Sequence, residues 1–162
     1  AASDVYKRQM EYGVPTKIVR LSQTFGPGVS FNDRRVFAEF ARCAITGENI
    51  ILKTKGETKR NYLYTADAVA AILTVLLKGV IGQIYTAANE DTFCSIYEMA
   101  DLVAEKYGIQ VVVEEQDISR LGYASTLYLD LDTQKLRNLG WFPKRNLSDM
   151  YDRMINVMKG SL

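Results

Sequence analysis

Apolar and polar positions along the chain follow two different periods, and the switches between them mark out the elements. Thr16 to Leu21 (TKIVRL) is β-branched and lies between Pro15 and the turn-forming FGPG, which predicts a buried strand. Residues 22–33 (SQTFGPGVSFND) are polar and broken by glycine and proline, a loop leaving that strand. From Arg34 to Thr46 the residues Val36, Phe37, Phe40, Ala41, Ala44 and Ile45 recur at helical spacing, and Gly47 follows as a stop. The stretch NIILKTKGETKRNYLYT predicts two strands flanking a Lys-Gly-Glu-Thr turn, and Thr65 can cap a helix running through Leu77 and ended by Gly79.

QIYTAA, residues 83–88, predicts a short strand. Ser95-Ile-Tyr-Glu98 has the spacing of a capping box, in which the hydroxyl accepts from the amide three residues on and the glutamate reaches back. It opens an amphipathic helix to Tyr107, stopped by Gly108. IQVVVEE predicts another strand, and Asp132 caps a short helix to Leu139. Ser148 or Asn146 opens the last helix, with Met150, Tyr151, Met154, Ile155 and Met158 along one face. Strands alternate with helices, with no repeat and no low-complexity tract, which is α/β order. The short helical pieces and the expected β-pair suggest a small cap grafted onto a parallel sheet.

Composition narrows the chemistry. With 162 residues the chain can bury a core, and a formal charge of +1 gives no global field to attract nucleic acid or a membrane. There is no histidine, so Ser-His-Asp and Cys-His mechanisms are excluded within these residues, and no metal site is expected. Cys43 and Cys94 lie far apart without metal-ligand spacing, and Cys43 falls in an apolar helical pattern that suits a buried, inert thiol. The longest apolar run, AVAAILTVLL, falls short of the ~20 residues needed to span a bilayer. A cytoplasmic protein is the expectation.

Two stretches could carry chemistry. Residues 22–33 form a polar, glycine-broken loop at the carboxyl end of a strand, where open α/β sheets place ligands, although an ordinary strand-to-helix connection reads the same way. KTKGETKR, residues 53–60, holds four cations and one anion. It is either a solvated turn or a phosphate grip, with Arg60 the best anchored because it adjoins the apolar NYLYT. Strand alternation explains most of the tyrosines at 62, 64, 85 and 97, so no stacking surface is inferred, and Asp67 suits the start of a helix.

The order of these stretches is itself informative. RLSQTFGPG, then NDRRVF, then RNYLYTADAVAAI and finally LDTQKLRNLGW resembles the C-terminal half of the extended short-chain dehydrogenase/reductase family. These are NAD-dependent nucleotide-sugar epimerases, dehydratases and decarboxylases, and the pattern is most similar to the UDP-glucuronate decarboxylase and dTDP-glucose 4,6-dehydratase branch. The resemblance implies a Rossmann-type parallel sheet with a small α/β substrate-binding cap, tightly held NAD, and transient oxidation of a sugar C4 hydroxyl. It places Leu21 and Ser22 beside the nicotinamide. Gln23 stands where the family has an asparagine on the sugar phosphate, Asn32 and Val36 face the nucleotide sugar, and Arg60 grips the diphosphate. Lys53 stands where an aromatic often flanks the base, and Leu127 where a second arginine is expected.

The family's glycine-rich NAD turn is not found, and no tyrosine has a lysine four residues on, so no catalytic residue is assigned. The expectation is a substrate-binding fragment spanning residues 10–162, inactive alone, of a parent that forms homodimers. The alternative is a non-catalytic nucleotide-sugar-binding module or a regulatory member of the same fold. Residues 1–9 (AASDVYKRQ) resemble the translation of a transposase-end sequencing adapter and are expected to be foreign.

Overall fold

A computed structural model describes residue 7 and residues 11–116 and 126–160. The AASDVYKRQ segment, Lys7 apart, therefore lies outside the described residues. The elements are β1 (Ile18–Leu21), β2 (Gln23–Phe25), α1 (Val36–Thr46), β3 (Ile50–Leu52), β4 (Lys59–Tyr64) and α2 (Thr65–Lys78), followed by β5 (Ile84–Ala87), β6 (Asn89–Ser95) and α3 (Ile96–Tyr107). The order closes with β7 (Val111–Val113), β8 (Tyr128–Leu129), α4 (Gln134–Arg137) and α5 (Leu147–Gly160).

Among the described residues the fold is α/β, with three small sheets in place of one. In the first, β1 and β5 run parallel, with Ile18 opposite Ile84 and Leu21 opposite Ala87. Helix α2 covers this pair through Ala68, Ala71 and Val75, which cluster with Leu63, Tyr85, Leu136 and Trp141. Strand β1 is half-buried at Ile18 and Val19 and exposed at Arg20 and Leu21, so the expected full burial is not realised.

The second sheet is built on β4. Strand β6 lies antiparallel along one edge, while β8 pairs parallel with Lys59 and Arg60 and β2 pairs parallel with Tyr62 to Tyr64. A bulge falls between Arg60 and Tyr62, and the Thr92 hydroxyl fills it. Thr92 Oγ1 accepts from the Tyr62 amide at 2.8 Å and lies 2.6 Å from the Asn89 carbonyl. The third sheet is the parallel pair β3–β7, Ile-Ile-Leu against Val-Val-Val.

The expected pairing across KGET is thus wrong. Each flanking strand has a better partner: β3 meets an equally apolar strand, and both edges of β4 are occupied. The connection instead tucks under α3, where the Tyr97 amide donates to the Gly56 carbonyl at 3.1 Å. Gly56 has φ +67°, and a Cβ there would sit 2.8 Å from the Tyr97 nitrogen.

Helices α1, α3 and α5 pack around the larger cluster, in which Phe25 stacks on Phe37 with ring centroids 4.6 Å apart and meets Tyr62 and Tyr151 at an angle. Several caps follow the sequence, but Thr65 is the first residue of α2 and not its cap, which falls on Tyr64 without a side-chain bond, and α4 starts after Thr133 and stops at Arg137 short of Leu139. Gly47 and Gly108 end their helices in the left-handed conformation, and both capping-box bonds of Ser95 and Glu98 are made. Asn146 Oδ1 accepts from the Asp149 amide and so starts α5. The predicted face Met150, Tyr151, Met154, Ile155 and Met158 is buried in full. No helix among the described residues is long and apolar enough to cross a membrane.

Candidate functional site

The chain crosses from the first sheet to the second twice, at Ser22 between β1 and β2 and at Ala88 between β5 and β6. The Ser22 amide donates to the Ala87 carbonyl at 2.9 Å, so the two crossings lie side by side. A cavity of about 260 Å³ opens at this junction. It sits at the carboxyl ends of the parallel strands β1 and β5, the position at which open α/β sheets leave room for ligands.

Four of the six residues singled out in the sequence line it: Leu21, Ser22, Gln23 and Arg60. Arg20, Asn61 and Thr86 add polar groups, and Leu129 and Leu131 form an apolar wall. Two features give the cavity its character. Its lining holds two guanidinium-bearing residues and no carboxylate. Ser22 Oγ and Arg60 Nε are also buried without a hydrogen-bond partner among the described residues. A buried donor left unpaired is costly, and a bound anion or hydroxyl removes the cost.

Arg60 is held by its other end, through Nη1, which donates to Gln23 Oε1 at 3.3 Å. Gln23 stands opposite Tyr62, two residues beyond Arg60 on β4, and its side chain reaches back to the guanidinium. The cation therefore projects from strand β4 and not from a solvated tip. Directly beside it in the ladder is Leu129.

The other two expected residues are elsewhere. Asn32 is exposed and lines a separate cavity of about 400 Å³ with Val157 and Met158. Val36 is half-buried against the larger core cluster. Leu127 is exposed, its amide donating to Thr58 Oγ1, and Lys53 is exposed and does not line the cavity. The wall residues Leu129 and Leu131 were missed because their stretch lacks a period, and Asn61 because a buried amide gives no sequence signal. Among the described residues no cluster of three metal-ligating side chains exists.

The thiols are not activated. Burial is the main cause raising the Cys43 thiol, and burial raises Cys94 to about 12. The Tyr62 phenol is likewise pushed up by burial, which disfavours its use as a base near neutral pH.

The NAD dependent epimerase/dehydratase family matches residues 1–88, more than half of the chain. The chain belongs to that family. Among its relatives, mouse dTDP-D-glucose 4,6-dehydratase is 30% identical over 142 residues, which cover 82% of this chain and 38% of the mouse protein. UDP-glucuronic acid decarboxylase 1 of Xenopus tropicalis is 26% identical over 161 residues, covering 97% of this chain and 36% of that protein. The chain thus spans less than half the length of these epimerase/dehydratase relatives. The fold matches that of UDP-glucose 4-epimerase from Thermotoga maritima, solved with UDP-glucose, at a TM-score of 0.84 and 22% identity, covering 99% of this chain and 51% of that one.

The residues present fit the cofactor the family name carries. Leu21 offers an exposed apolar side chain at the end of β1, and Ser22 a buried hydroxyl without a partner. Together they suit a flat ring bearing an amide.

Proposed function

We propose that the chain supplies the substrate-binding half of an NAD-dependent nucleotide-sugar epimerase, dehydratase or decarboxylase, and that the cavity at Ser22 seats the nucleotide sugar. One observation carries this reading: Leu21, Ser22, Gln23 and Arg60 converge on one cavity that has unpaired buried donors and no carboxylate. A guanidinium with a free Nε and a fixed Nη1 suits a phosphate oxygen, because its planar fork binds oxyanions directionally. The apolar wall of Leu129 and Leu131 faces whatever that anion carries.

NAD, when bound, would supply a reversible hydride acceptor for the sugar C4 carbon. Leu21 and Ser22 would hold the nicotinamide end, while Gln23 and Arg60 orient the diphosphate. None of the ten tyrosines is followed four residues on by lysine, so no base for the C4 hydroxyl proton is assigned in this sequence. The chain is expected to bind without turnover. Its two free thiols fit a reducing, cytoplasmic setting.

Calorimetric titration of the 162-residue chain with UDP-glucose tests this. Saturable binding that Arg60→Ala removes, with no NADH formed on adding NAD, is the expected result. Absence of binding, or binding indifferent to Arg60→Ala, would overturn it.

A further inference from the structure

Along one edge of β4, strand β8 covers Lys59 and Arg60 and strand β2 covers Tyr62 to Tyr64, which leaves Asn61 in the gap between them. Asn61 is 1% exposed, and both ends of its amide are used. Its Oδ1 accepts from the Leu131 amide at 2.7 Å, and its Nδ2 donates to Asp130 Oδ1 at 3.3 Å. Both partners lie about seventy residues away in sequence, immediately beyond β8. The ladder pairing of β8 itself is only two residues long, Lys59 with Tyr128 and Arg60 with Leu129. The cavity wall, Leu129 and Leu131, belongs to this weakly paired stretch.

We propose that Asn61 is a positioning residue that sets the distance between Arg60 and the apolar wall, and so the width of the ligand seat. Two ladder pairs are a slight anchor for a strand, and a buried amide bonded at both ends fixes orientation as well as position. Arg60 and Asn61 are adjacent on β4, so the residue that holds the wall and the residue that would meet the anion share one backbone. An asparagine is required because the site needs an acceptor for Leu131 N and a donor for Asp130 together, which neither aspartate nor leucine offers.

This inference rests on the reading of the cavity as a nucleotide-sugar seat, and the test separates the two. Hydrogen exchange at the Leu131 amide reports the clamp without any ligand, while UDP-glucose titration reports the seat. Asn61→Ala is expected to speed exchange at Leu131 and to weaken UDP-glucose binding by about tenfold, with the far-ultraviolet spectrum unchanged. The exchange of roles in Asn61→Asp with Asp130→Asn restores both an acceptor for Leu131 N and a donor–acceptor pair. It should return exchange and affinity to within about threefold of the parent, whereas Asn61→Asp alone should not.

Affinity unchanged in Asn61→Ala despite faster exchange would reduce Asn61 to a structural role and overturn the proposal. Failure of the exchanged pair to recover would do the same. Should the parent chain take up no UDP-glucose, the seat reading falls. The clamp then stands on Leu131 alone, supported by protection in parent and exchanged pair and overturned by its lack.

Discussion

Arg60 and Gln23 lie 37 positions apart in sequence and meet side by side in the cavity. The pair is chemically economical, since the amide oxygen takes one guanidinium N–H and leaves the others for a ligand. Lysine keeps the charge but neither reaches Gln23 in the same way nor forks onto an oxyanion. Arg60→Lys is therefore expected to weaken UDP-glucose binding by about tenfold, or about 1.4 kcal/mol, as read by calorimetry.

Asp33 offers a pH test at the same scale. Its carboxyl is held down to about 2, chiefly by the side-chain hydrogen bond from Arg35 and then by the Arg35 backbone amide. A depressed folded value means that the contribution is present above the ordinary 3.8 and is lost as pH falls through about 2. Arg35→Ala should raise the Asp33 midpoint towards 3.8, followed by the carboxyl carbon shift, and a midpoint that stays near 2 would assign the effect to other groups. The pair is at the surface, so little global stability is expected to follow it.

Asp67 shows how a residue can be placed correctly and its role missed. It does open α2, but its carboxylate accepts from the backbone amides of Lys144 and Arg145, and its carbonyl accepts from Trp141 Nε1. Asp67→Ala leaves two amides without that acceptor and should cost about 1–3 kcal/mol in urea unfolding. A loss no larger than that of an exposed helix-start acid would show that water replaces the tether.

Among the elements, those with local signals were readable and those defined by distant partners were not. Helix α3 carries its start in Ser95 and Glu98 and its stop in Gly108, and it runs between them. Strand β6 reads Asn-Glu-Asp-Thr-Phe-Cys-Ser, with no apolar alternation, because its inward positions Asn89, Thr92 and Ser95 are polar and satisfied by bonds to the chain around them. Strand β2 was hidden inside a stretch rich in turn residues, where Phe25 alone signals burial. The KGET turn misled because a basic, glycine-centred tip usually joins neighbours in a sheet.

The candidate site divides along the same line. Leu21, Ser22 and Gln23 follow one another along the chain and were found together, whereas the wall at Leu129 and Leu131 depends on β8 meeting β4. Gly56 marks the crossover that replaced the hairpin. Gly56→Ala should destabilise the fold by about 1–3 kcal/mol, since it combines φ +67° with a Cβ 2.8 Å from Tyr97 N. Guanidinium unfolding with an unchanged slope is the measurement, and a change below about 0.5 kcal/mol would mean the crossover relaxes freely.

At the scale of the whole molecule, α2 is apolar on more than the face it buries. Ala68, Ala71 and Val75 point into the smaller core cluster, yet Val69, Ile72, Leu73, Leu76 and Leu77 are all exposed, Leu77 to 80%. Val80 and Ile81 continue the patch, and a groove of about 430 Å³ lined by Pro15, Val19, Ile72 and Leu76 runs between this face and β1. A surface helix of a monomer ordinarily turns a charged face to water, and contiguous exposed apolar area favours association. The tight caps and filled cores elsewhere argue for a defined fold, so the expected behaviour is association of folded chains rather than collapse. Sedimentation of the chain should show weight-average mass rising with concentration. Leu73→Lys with Leu77→Lys should return it to the monomer value without altering the circular dichroism spectrum, because both side chains are exposed at 51% and 80%. A parent that stays monomeric throughout would overturn the expectation, and a lysine pair that still associates would place the contact on another face. The open edge of β1, paired among the described residues only with β5, would then be the next surface to test, since an unpaired edge can add a strand in trans.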